Sequence, residues 1–269
     1  MSNKIAKLQK LFHTSQEKDL LLPKIFVVQA IFLKQVDSTN AFMLEMVEDE
    51  RVGKVVWAAS QTAGKGMATN VWESAPGLNL TFSMGLDLSF MKAADQFLLS
   101  QAVPLGLLDV LDVLLPPAPL KLKWPNDLYF DHRKLCGILI NSTIHGLDMG
   151  VSVVGVGLNV NQTQFQDWPT NPISMKMILN HEIELESLLA QLVVAIEKRV
   201  HQLKTDEGII TIKNEYLKRL YRYHTWAEYE VSGTKVRRYI IGIDPFGRLQ
   251  TLDESSVPHT YDLKEIRFL

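Results

Sequence analysis

The chain has 269 residues, of which 28 are Lys or Arg and 30 are Asp or Glu, so its formal net charge is −2. Hydrophobic residues make up 46% and charged residues 22%, as in ordinary globular proteins. This balance excludes the basic footprint of typical nucleic-acid-binding proteins, and the length fits one large domain or one domain plus a small one.

The N-terminus and the cysteine usage bear on location. Residues 1–24 contain basic residues but no apolar core of a signal peptide, so a short helical or disordered extension is predicted. The most apolar long stretch, residues 97–115, is interrupted by Pro104 and two aspartates, and no membrane span is predicted. Because Cys136 has no second cysteine to pair with, the cytoplasm is the expected location.

Residues 25–222 alternate between strand-like and helical patterns. Runs of β-branched and aromatic residues predict strands at 25–36, 54–59, 79–86, 120–124, 135–142 and 150–157. Apolar residues at helical spacing predict helices at 39–50, 93–115, 186–203 and 207–222. The first is expected to be capped by Ser38 or Thr39, and the second to kink or break at Pro104.

Residues 223–269 have a different sequence pattern from the residues before them. Short alternating segments at 229–231, 238–243, 248–252 and 266–269 are separated by turns, which favours a small barrel of the SH3 type. Fewer than 30 residues precede the first strand, too few for a packed helix-turn-helix domain, so no nucleic-acid partner is expected.

Five polar or glycine-rich segments stand at predicted strand ends. They are DSTN (37–40), QTAGKG (61–66), KWPND (123–127), KLCGIL (134–139) and GVGLNVN (155–161). Taken singly, each has an ordinary explanation as a cap, a turn or a strand end. Together they indicate one site for a small polar molecule and a nucleotide.

The first two segments offer hydroxyl groups and an anion-binding loop. The hydroxyls of Ser38 and Thr39 either cap the following helix or hydrogen-bond a ligand. In the loop that follows Gln61, backbone amides and Lys65 can surround an anion, although an ordinary mobile turn has the same composition. Trp72 is either a core aromatic or a lid over a flat ring.

The later segments add an amide, a carboxylate and a second lysine. Asn126 and Asp127 either form a turn or contact an adenine edge, Mg²⁺ or an amine. Lys134 is either a surface lysine or the group that polarises a carboxylate and stabilises charge on a phosphate. Gly137 permits close approach of a ligand, and Asn159 completes either a nucleotide pocket or a turn.

In content and order these segments resemble the biotin protein ligase family over roughly residues 30–269. The resemblance implies an α+β fold: a mixed β-sheet catalytic domain (25–222) flanked by helices, like class II aminoacyl-tRNA and biotin synthetases, plus an SH3-like barrel (223–269). It implies a biotin–[acetyl-CoA-carboxylase] ligase that uses ATP and Mg²⁺ to make biotinyl-5′-AMP. The biotinyl group then passes to one lysine of a carboxylase's biotin carboxyl carrier domain. The sequence does not distinguish a monomer from a homodimer, and no membrane partner is expected.

The resemblance also implies residue roles. The residues expected at biotin are Ser38, Thr39, Asn40, Gln61, Gly64, Lys65, Gly66, Met67, Lys134 and Gly137. Trp72, Asn126 and Asn159 are expected at the adenylate. Lys134, Lys65 and Asp127 are expected to carry the chemistry, with Asp127 receiving the acceptor lysine or the metal.

The loop departs from the family pattern GRGRRGRxW. After Gly66 it continues Met67-Ala68-Thr69-Asn70-Val71-Trp72, so a guanidinium expected near the phosphates is missing at Met67. This predicts a looser grip on the adenylate, or compensation by cations elsewhere.

Two rival functions remain. Lipoate ligases and octanoyltransferases share the fold, but the sequence lacks their arginine- and glycine-rich signature. A non-enzymatic biotin or adenylate sensor is the other, and release of pyrophosphate from ATP in the presence of biotin distinguishes an enzyme from a sensor.

Overall fold

A computed structural model describes residues 16–18, 29–67, 70–117, 120–166 and 171–269. In these ranges the first sheet has eight strands: β1 (Gln16–Lys18), β2 (Gln29–Leu33), β3 (Lys54–Ala58), β4 (Leu80–Asp87), β5 (Leu120–Lys123), β6 (Asp127–Phe130), β7 (Arg133–His145) and β8 (Asp148–Leu158). Their spatial order is β1-β2-β3-β4-β8-β7-β6-β5. Only β2 and β3 pair in parallel, so the predicted mixed sheet is confirmed.

Helices cover both faces of this sheet. In the same ranges they are α1 (Thr39–Leu44), α2 (Glu48–Arg51), α3 (Phe97–Leu114), α4 (Met175–Leu179), α5 (Leu185–Gln202) and α6 (Asp206–Arg219), with a 3₁₀ turn at Ala93–Asp95. Val55 and Trp57 of β3 join the larger apolar cluster with α3 and α5, whereas Val56 and Ala58 join a smaller one with α1. This alternation is the two-residue period of a strand buried on both faces.

A second sheet follows in the C-terminal part. Residues 226–268 form β9 (Trp226–Val231), β10 (Thr234–Ile243), β11 (Leu249–Leu252), β12 (Pro258–Tyr261) and β13 (Ile266–Phe268), all antiparallel in the order β12-β11-β10-β9-β13. Its buried residues belong to the same large apolar cluster as α3 and α5. A buried hydrogen bond of 2.8 Å from Trp124 Nε1 to the carbonyl of Gly247 also joins the two sheets.

The helix predicted at 39–50 is two helices. Ser38 caps α1 as predicted, its hydroxyl accepting from the amide of Ala41 at 3.4 Å. The chain then leaves the helical conformation at Val47, where ψ is 141°. The guanidinium of Arg51 donates to the carbonyls of Leu44 and Met46, at 2.8 and 2.9 Å, and so satisfies the end of α1.

Of the two outcomes predicted at Pro104, a kink or a break, the break does not occur. A proline inside a helix costs roughly 3 kcal/mol, yet α3 continues from Phe97 to Leu114. Leu99, Leu107 and Leu111 are fully buried, and burying one leucine side chain contributes about 1.5–3 kcal/mol. Packing therefore outweighs the local penalty.

Helix α3 is long and apolar enough to cross a membrane by length and composition, but 67% of it is buried inside the protein. It packs so closely on α5 that a Cβ on Gly106 would lie 2.6 Å from Ile196 Cα. These contacts are those of a core helix.

Some strands differ from the predictions. Residues 16–18 form a strand, so the prediction of a helical or disordered segment is wrong there, and the rest of 1–24 lies outside the described residues. Of the strand predicted at 25–36, Gln29–Leu33 form β2, and residues 25–28 lie outside the described residues. Strands β6 and β12 were not predicted, because each is four residues long and adjoins a sequence that reads as a turn.

Glu197, on α5, is expected to make the free energy of unfolding depend on pH. Burial raises the pKa of Glu197 to about 7, and its buried Oε2 has no hydrogen-bond partner among the described residues. Between its unfolded pKa of about 4.3 and 7, the folded protein retains a proton that the unfolded chain releases, so the free energy of unfolding falls as pH rises.

We expect Glu197→Gln to raise the free energy of unfolding at pH 8 by roughly 1 kcal/mol, discounted for partial solvent exposure. Urea denaturation at pH 8 and at about pH 4 measures this. The acid pair is the control, since Glu197 is mostly protonated there in both the folded and the unfolded state. Equal stabilities of the two proteins at pH 8 would contradict the prediction.

Candidate functional site

A polar cavity of about 80 Å³ lies on the first sheet, beneath the loop segments 61–67 and 70–72. Twelve of the fourteen predicted site residues line it: Ser38, Thr39, Asn40, Gln61, Lys65, Gly66, Met67, Trp72, Asn126, Asp127, Lys134 and Gly137. Segments up to about 100 residues apart in sequence therefore meet at one place, hereafter called the polar cavity.

The first wall of the polar cavity is the start of α1. A parallel bridge between Val36 and Gln61 brings the two loops together. The side-chain oxygen of Gln61 accepts from the backbone amide of Thr39 at 2.8 Å, and the Thr39 hydroxyl lies 2.9 Å from that of Ser83. These contacts fix several polar groups in a buried environment.

Asn40 presents an unpaired acceptor to the cavity. Its side-chain nitrogen donates to the carbonyl of Leu139 at 3.2 Å, while Oδ1 is buried with no partner among the described residues. Leaving such an acceptor unpaired costs about 1–3 kcal/mol, so this oxygen is suited to accept from a ligand N–H.

Trp72 forms another wall. Its indole lies so close to β8 that a Cβ on Gly157 would be 2.3 Å from Trp72 Cε2, and one on Gly137 would be 3.1 Å from Cζ3. The two glycines thus leave a flat backbone surface against which an aromatic ring packs. The indole Nε1 is buried and has no partner within the described part of the chain.

Lys134 and Asp127 form an ion pair in the polar cavity. The Lys134 Nζ to Asp127 Oδ1 distance is 2.8 Å, and the side chains are only 20% and 17% exposed. The hairpin of β5, β6 and β7 sets this geometry, since Asp127 is paired with Gly137 in the sheet register. Lys134 Nζ also lies 5.8 Å from the centroid of the Trp72 ring.

The glycine-rich loop carries the second lysine of the cavity. Lys65 is exposed and pairs with Val71 across the loop, and the amide of Gly66 donates to the carbonyl of Asn70 at 2.8 Å. Among the described residues Lys65 makes no ion pair, so its charge is available to an anion. Met67 lines the cavity but brings no charge.

Two predicted site residues do not line the cavity. A Cβ on Gly64 would lie 2.4 Å from the carbonyl oxygen of Trp72, so this glycine permits the loop to close on itself. The side-chain nitrogen of Asn159 donates to the carbonyls of Ile173 and Lys134, at 3.1 and 3.4 Å. Asn159 therefore holds the backbone behind Lys134, and its side chain is not placed in the cavity.

Other lining residues were not predicted as site residues: Asn70, Val71, Phe82, Ser83, Ile138, Leu139, Gly155, Val156 and Gly157. Ser83 had a signal in the sequence, because it is a polar residue within the apolar run of β4. Gly155 and Gly157 lie against the side chains of Asn40 and Trp72, respectively, and leave no room for a Cβ atom there.

The described side chains offer neither a metal-binding cluster nor a reactive thiol. The described residues contain no group of three or more His, Cys, Asp or Glu side chains that could hold a metal ion. Cys136 is fully buried and burial raises the pKa of its thiol, which disfavours the reactive thiolate. Asp127 is the carboxylate that lines the polar cavity.

Comparison with known proteins gives consistent matches. The Biotin/lipoate A/B protein ligase family model matches residues 32–159. A biotin–[acetyl-CoA-carboxylase] ligase from Paracoccus denitrificans is 33% identical over 198 residues, which cover 71% of this chain and 80% of the relative. The chloroplastic biotin–protein ligase 1 of Arabidopsis thaliana is 31% identical over 202 residues, covering 74% of this chain and 53% of the relative.

Thus the chain spans only about half the length of the Arabidopsis relative. Among solved structures, a biotin protein ligase from Aquifex aeolicus in complex with biotin and ATP superposes with a TM-score of 0.73, covering 89% of this chain and 98% of that one. At 22% identity this likeness shows the shared α+β fold. On the Paracoccus match, which covers most of both proteins, the chain belongs to the biotin protein ligase family.

Proposed function

We propose that this protein is an ATP-dependent biotin–[biotin carboxyl carrier protein] ligase. The observation that carries the proposal is the half-buried Lys134–Asp127 pair inside a cavity lined by twelve predicted site residues. Biotin and ATP give biotinyl-5′-AMP and pyrophosphate, and the adenylate then gives its biotinyl group to a lysine of a carboxylase carrier domain. The names of the Paracoccus and Arabidopsis relatives support this reaction.

In the first step an oxygen of the biotin carboxylate attacks the α-phosphorus of ATP, and the bond to pyrophosphate breaks. Both reactants are anions, so their approach requires positive charge. Lys134 supplies it from inside the cavity and Lys65 from the loop above it. To serve the substrates, the ammonium of Lys134 exchanges the Asp127 carboxylate for theirs.

The biotin ring system fits the polar wall at α1. The unpaired Oδ1 of Asn40 is an acceptor for a ureido N–H group. The Thr39 and Ser83 hydroxyls and the Gln61 amide supply further partners for the ureido group. Trp72, seated on the two glycines, covers the ring or the adenylate.

In the second step the amine of the acceptor lysine attacks the carbonyl carbon of the adenylate, and AMP leaves. The amine must be neutral to attack. Once Lys134 has turned towards the substrate anions, Asp127 is free to accept the proton from the acceptor ammonium. The pair thus couples activation to transfer.

Mg²⁺ fits this site as a companion of ATP. It is usually bound by one or two carboxylates together with substrate phosphates, and Asp127 is the carboxylate available in the cavity. The ion would supply charge neutralisation at the phosphates.

Substrate binding requires the loop to move. A cavity of about 80 Å³ is much smaller than the roughly 300–1,000 Å³ of pockets for drug-sized ligands. We infer that the loop residues 64–67 and 70–72 open to admit biotin and ATP and then close over the adenylate, which would otherwise be exposed to water.

Met67 makes this closure weaker than in relatives with an arginine there. We expect Met67→Arg to slow the release of biotinyl-AMP by roughly tenfold or more, the effect of one charge-assisted hydrogen bond. Release of radiolabelled biotinyl-AMP after dilution measures it. Thr62→Arg adds the same charge in the loop but outside the cavity lining, and is the control. Equal release rates for all three proteins would disprove the expectation.

We also propose the form of the C-terminal sheet, a docking edge on the first sheet and the location of the reaction. The C-terminal sheet (223–269) is taken as an SH3-like barrel, because its two edge strands, β12 and β13, are joined by only four residues, 262–265. Residues 139–145 of β7 pair with β8 on one side and, within the described ranges, with no strand on the other. This edge is suited to the carrier domain or a second copy of the chain, and we place the reaction in the cytoplasm.

The proposal is tested by incubating the protein with MgATP, biotin and a purified biotin carrier domain and measuring the intact mass of the carrier. A gain of one biotinyl group, with pyrophosphate released, is expected. Biotin binding without pyrophosphate release would instead identify a sensor.

A further inference from the structure

A second cavity, of about 350 Å³, lies between the edge of the first sheet and the C-terminal sheet. Its lining includes Lys123 of β5, Tyr129 of β6, Tyr221 and Arg222 before β9, and Phe268 of β13. None of its lining residues lines the polar cavity. We call it the Lys123 cavity.

Two cations and an aromatic wall define the chemistry of the Lys123 cavity. Lys123 Nζ lies 5.2 Å from the centroid of the Phe268 ring, and Arg222 Cζ lies 5.9 Å from the same centroid. Lys123 also lies 4.6 Å from the Tyr129 ring centroid and donates to the Tyr129 hydroxyl at 3.0 Å. Within the described chain, Lys123 makes no ion pair with a carboxylate.

The nearby charges leave Lys123 without a counterion. Asp127, its partner in the β5–β6 register, already pairs with Lys134 at 2.8 Å. Asp131 is exposed, lies 3.3 Å from His132 and does not line the cavity. Arg222 donates to the main-chain oxygens of Glu228 and of Leu269, which also lines the cavity, so the charge of Arg222 is already engaged while Lys123 has N–H groups to spare.

The pKa of Lys123 agrees with this geometry. Burial lowers the pKa, the carboxylate of Asp127 raises it, and the charges of Lys134 and Arg222 lower it further, with a net lowering. A half-buried ammonium in such surroundings gains from an anion, because a desolvated charge without a partner is unfavourable.

We propose that the Lys123 cavity is a second anion site, which binds one carboxylate or phosphate group against the ammonium of Lys123. The aromatic side chains shield the contact from water, which strengthens it. Two sources of this chemistry exist: a free small anion, and an acidic side chain on the surface of the acceptor protein. The second source rests on the proposed function, since an acceptor lysine that reaches Asp127 brings its own protein over the β5–β6 hairpin.

The first arm of the test titrates inorganic phosphate into the full chain by calorimetry. Lys123→Gln is expected to weaken phosphate binding roughly tenfold or more, the equivalent of one charge-assisted hydrogen bond, and Lys123→Arg to retain most of it. Lys121→Gln is the matched control: Lys121 lies two residues earlier on β5, does not line the cavity and makes only an exposed contact with the carbonyl of Lys218. Neither Lys121 nor Lys123 lines the polar cavity.

The second arm measures biotin transfer to the carrier domain. If the anion is an acceptor carboxylate, Lys123→Gln raises the KM for the carrier by a similar factor, while pyrophosphate release stays within about twofold. Weaker phosphate binding with an unchanged KM identifies a free small anion. Unchanged phosphate binding and unchanged KM in Lys123→Gln overturn the proposal. Loss of pyrophosphate release in the wild type would refute the ligase instead and leave the phosphate result standing.

Discussion

Replacing Lys134 with alanine is expected to reduce biotin-dependent pyrophosphate release by roughly 10²–10³-fold, the usual effect of removing one group that stabilises developing charge. The ammonium lies in the polar cavity with only 20% of the side chain exposed, so water cannot fully replace it. Single-turnover formation of biotinyl-AMP, measured with labelled ATP, gives the rate. Lys121→Ala, on the surface of β5, controls for loss of a lysine.

Asp127→Asn separates the two steps. The amide keeps the shape of the carboxylate but cannot accept the proton of the acceptor ammonium, so transfer should fall more than adenylate formation. Preformed biotinyl-AMP and the carrier domain isolate the second step. If Lys134→Ala formed the adenylate at a rate within tenfold of the wild type, or if Asp127→Asn slowed both steps equally, the assigned roles would be wrong.

Adding one methyl group at Gly157 is expected to weaken biotin binding. A Cβ there would lie 2.3 Å from Trp72 Cε2, so the indole would have to leave its seat. Overpacking of this kind costs about 1–3 kcal/mol, or roughly 5–150-fold in affinity if it is relieved by displacing the loop. Calorimetric titration of biotin measures the effect, and quenching of Trp fluorescence by acrylamide reports the displaced indole.

Gly137→Ala is the matched comparison. Its Cβ would lie 3.1 Å from Trp72 Cζ3, so a shift of a few tenths of an ångström accommodates it, and the loss of affinity should be clearly smaller. A larger loss at Gly137 than at Gly157 would show that Trp72 does not form the wall used by the ligand.

Much of the fold was predictable because its signals are local. Runs of apolar residues with the periodicity of a strand or a helix predicted six of the elements: β3, β4, β7, β8, α5 and α6. The continuous α3 was not predictable, since burial of its leucines from several sides offsets the local penalty of Pro104. The break after α1 depends on Arg51 reaching back to two carbonyls, a contact that no periodicity encodes.

In the candidate site, too, some features could be predicted from local sequence and others depend on tertiary contacts. Polar residues at strand ends could be assigned from motifs, and they converge as expected. The role of Asn159 could not be assigned from a motif, because the side chain of an Asn in a turn can hydrogen-bond either a ligand or backbone carbonyls. Here it donates to backbone carbonyls. Ser83 was missed because it contributes through the hydroxyl of Thr39, 44 residues earlier in the chain.

The buried hydrogen bond from Trp124 to Gly247 has a consequence for folding. Trp124 stands three residues before Asp127, so the hairpin that carries the Asp127 carboxylate is anchored by a carbonyl of the C-terminal sheet. A Cβ on Gly247 would lie 2.3 Å from the ring of Phe97, at the start of α3, so the anchor also packs tightly on the helical layer. The two sheets should therefore melt in a single cooperative transition, and excision of the C-terminal sheet would destabilise the hairpin that carries Asp127.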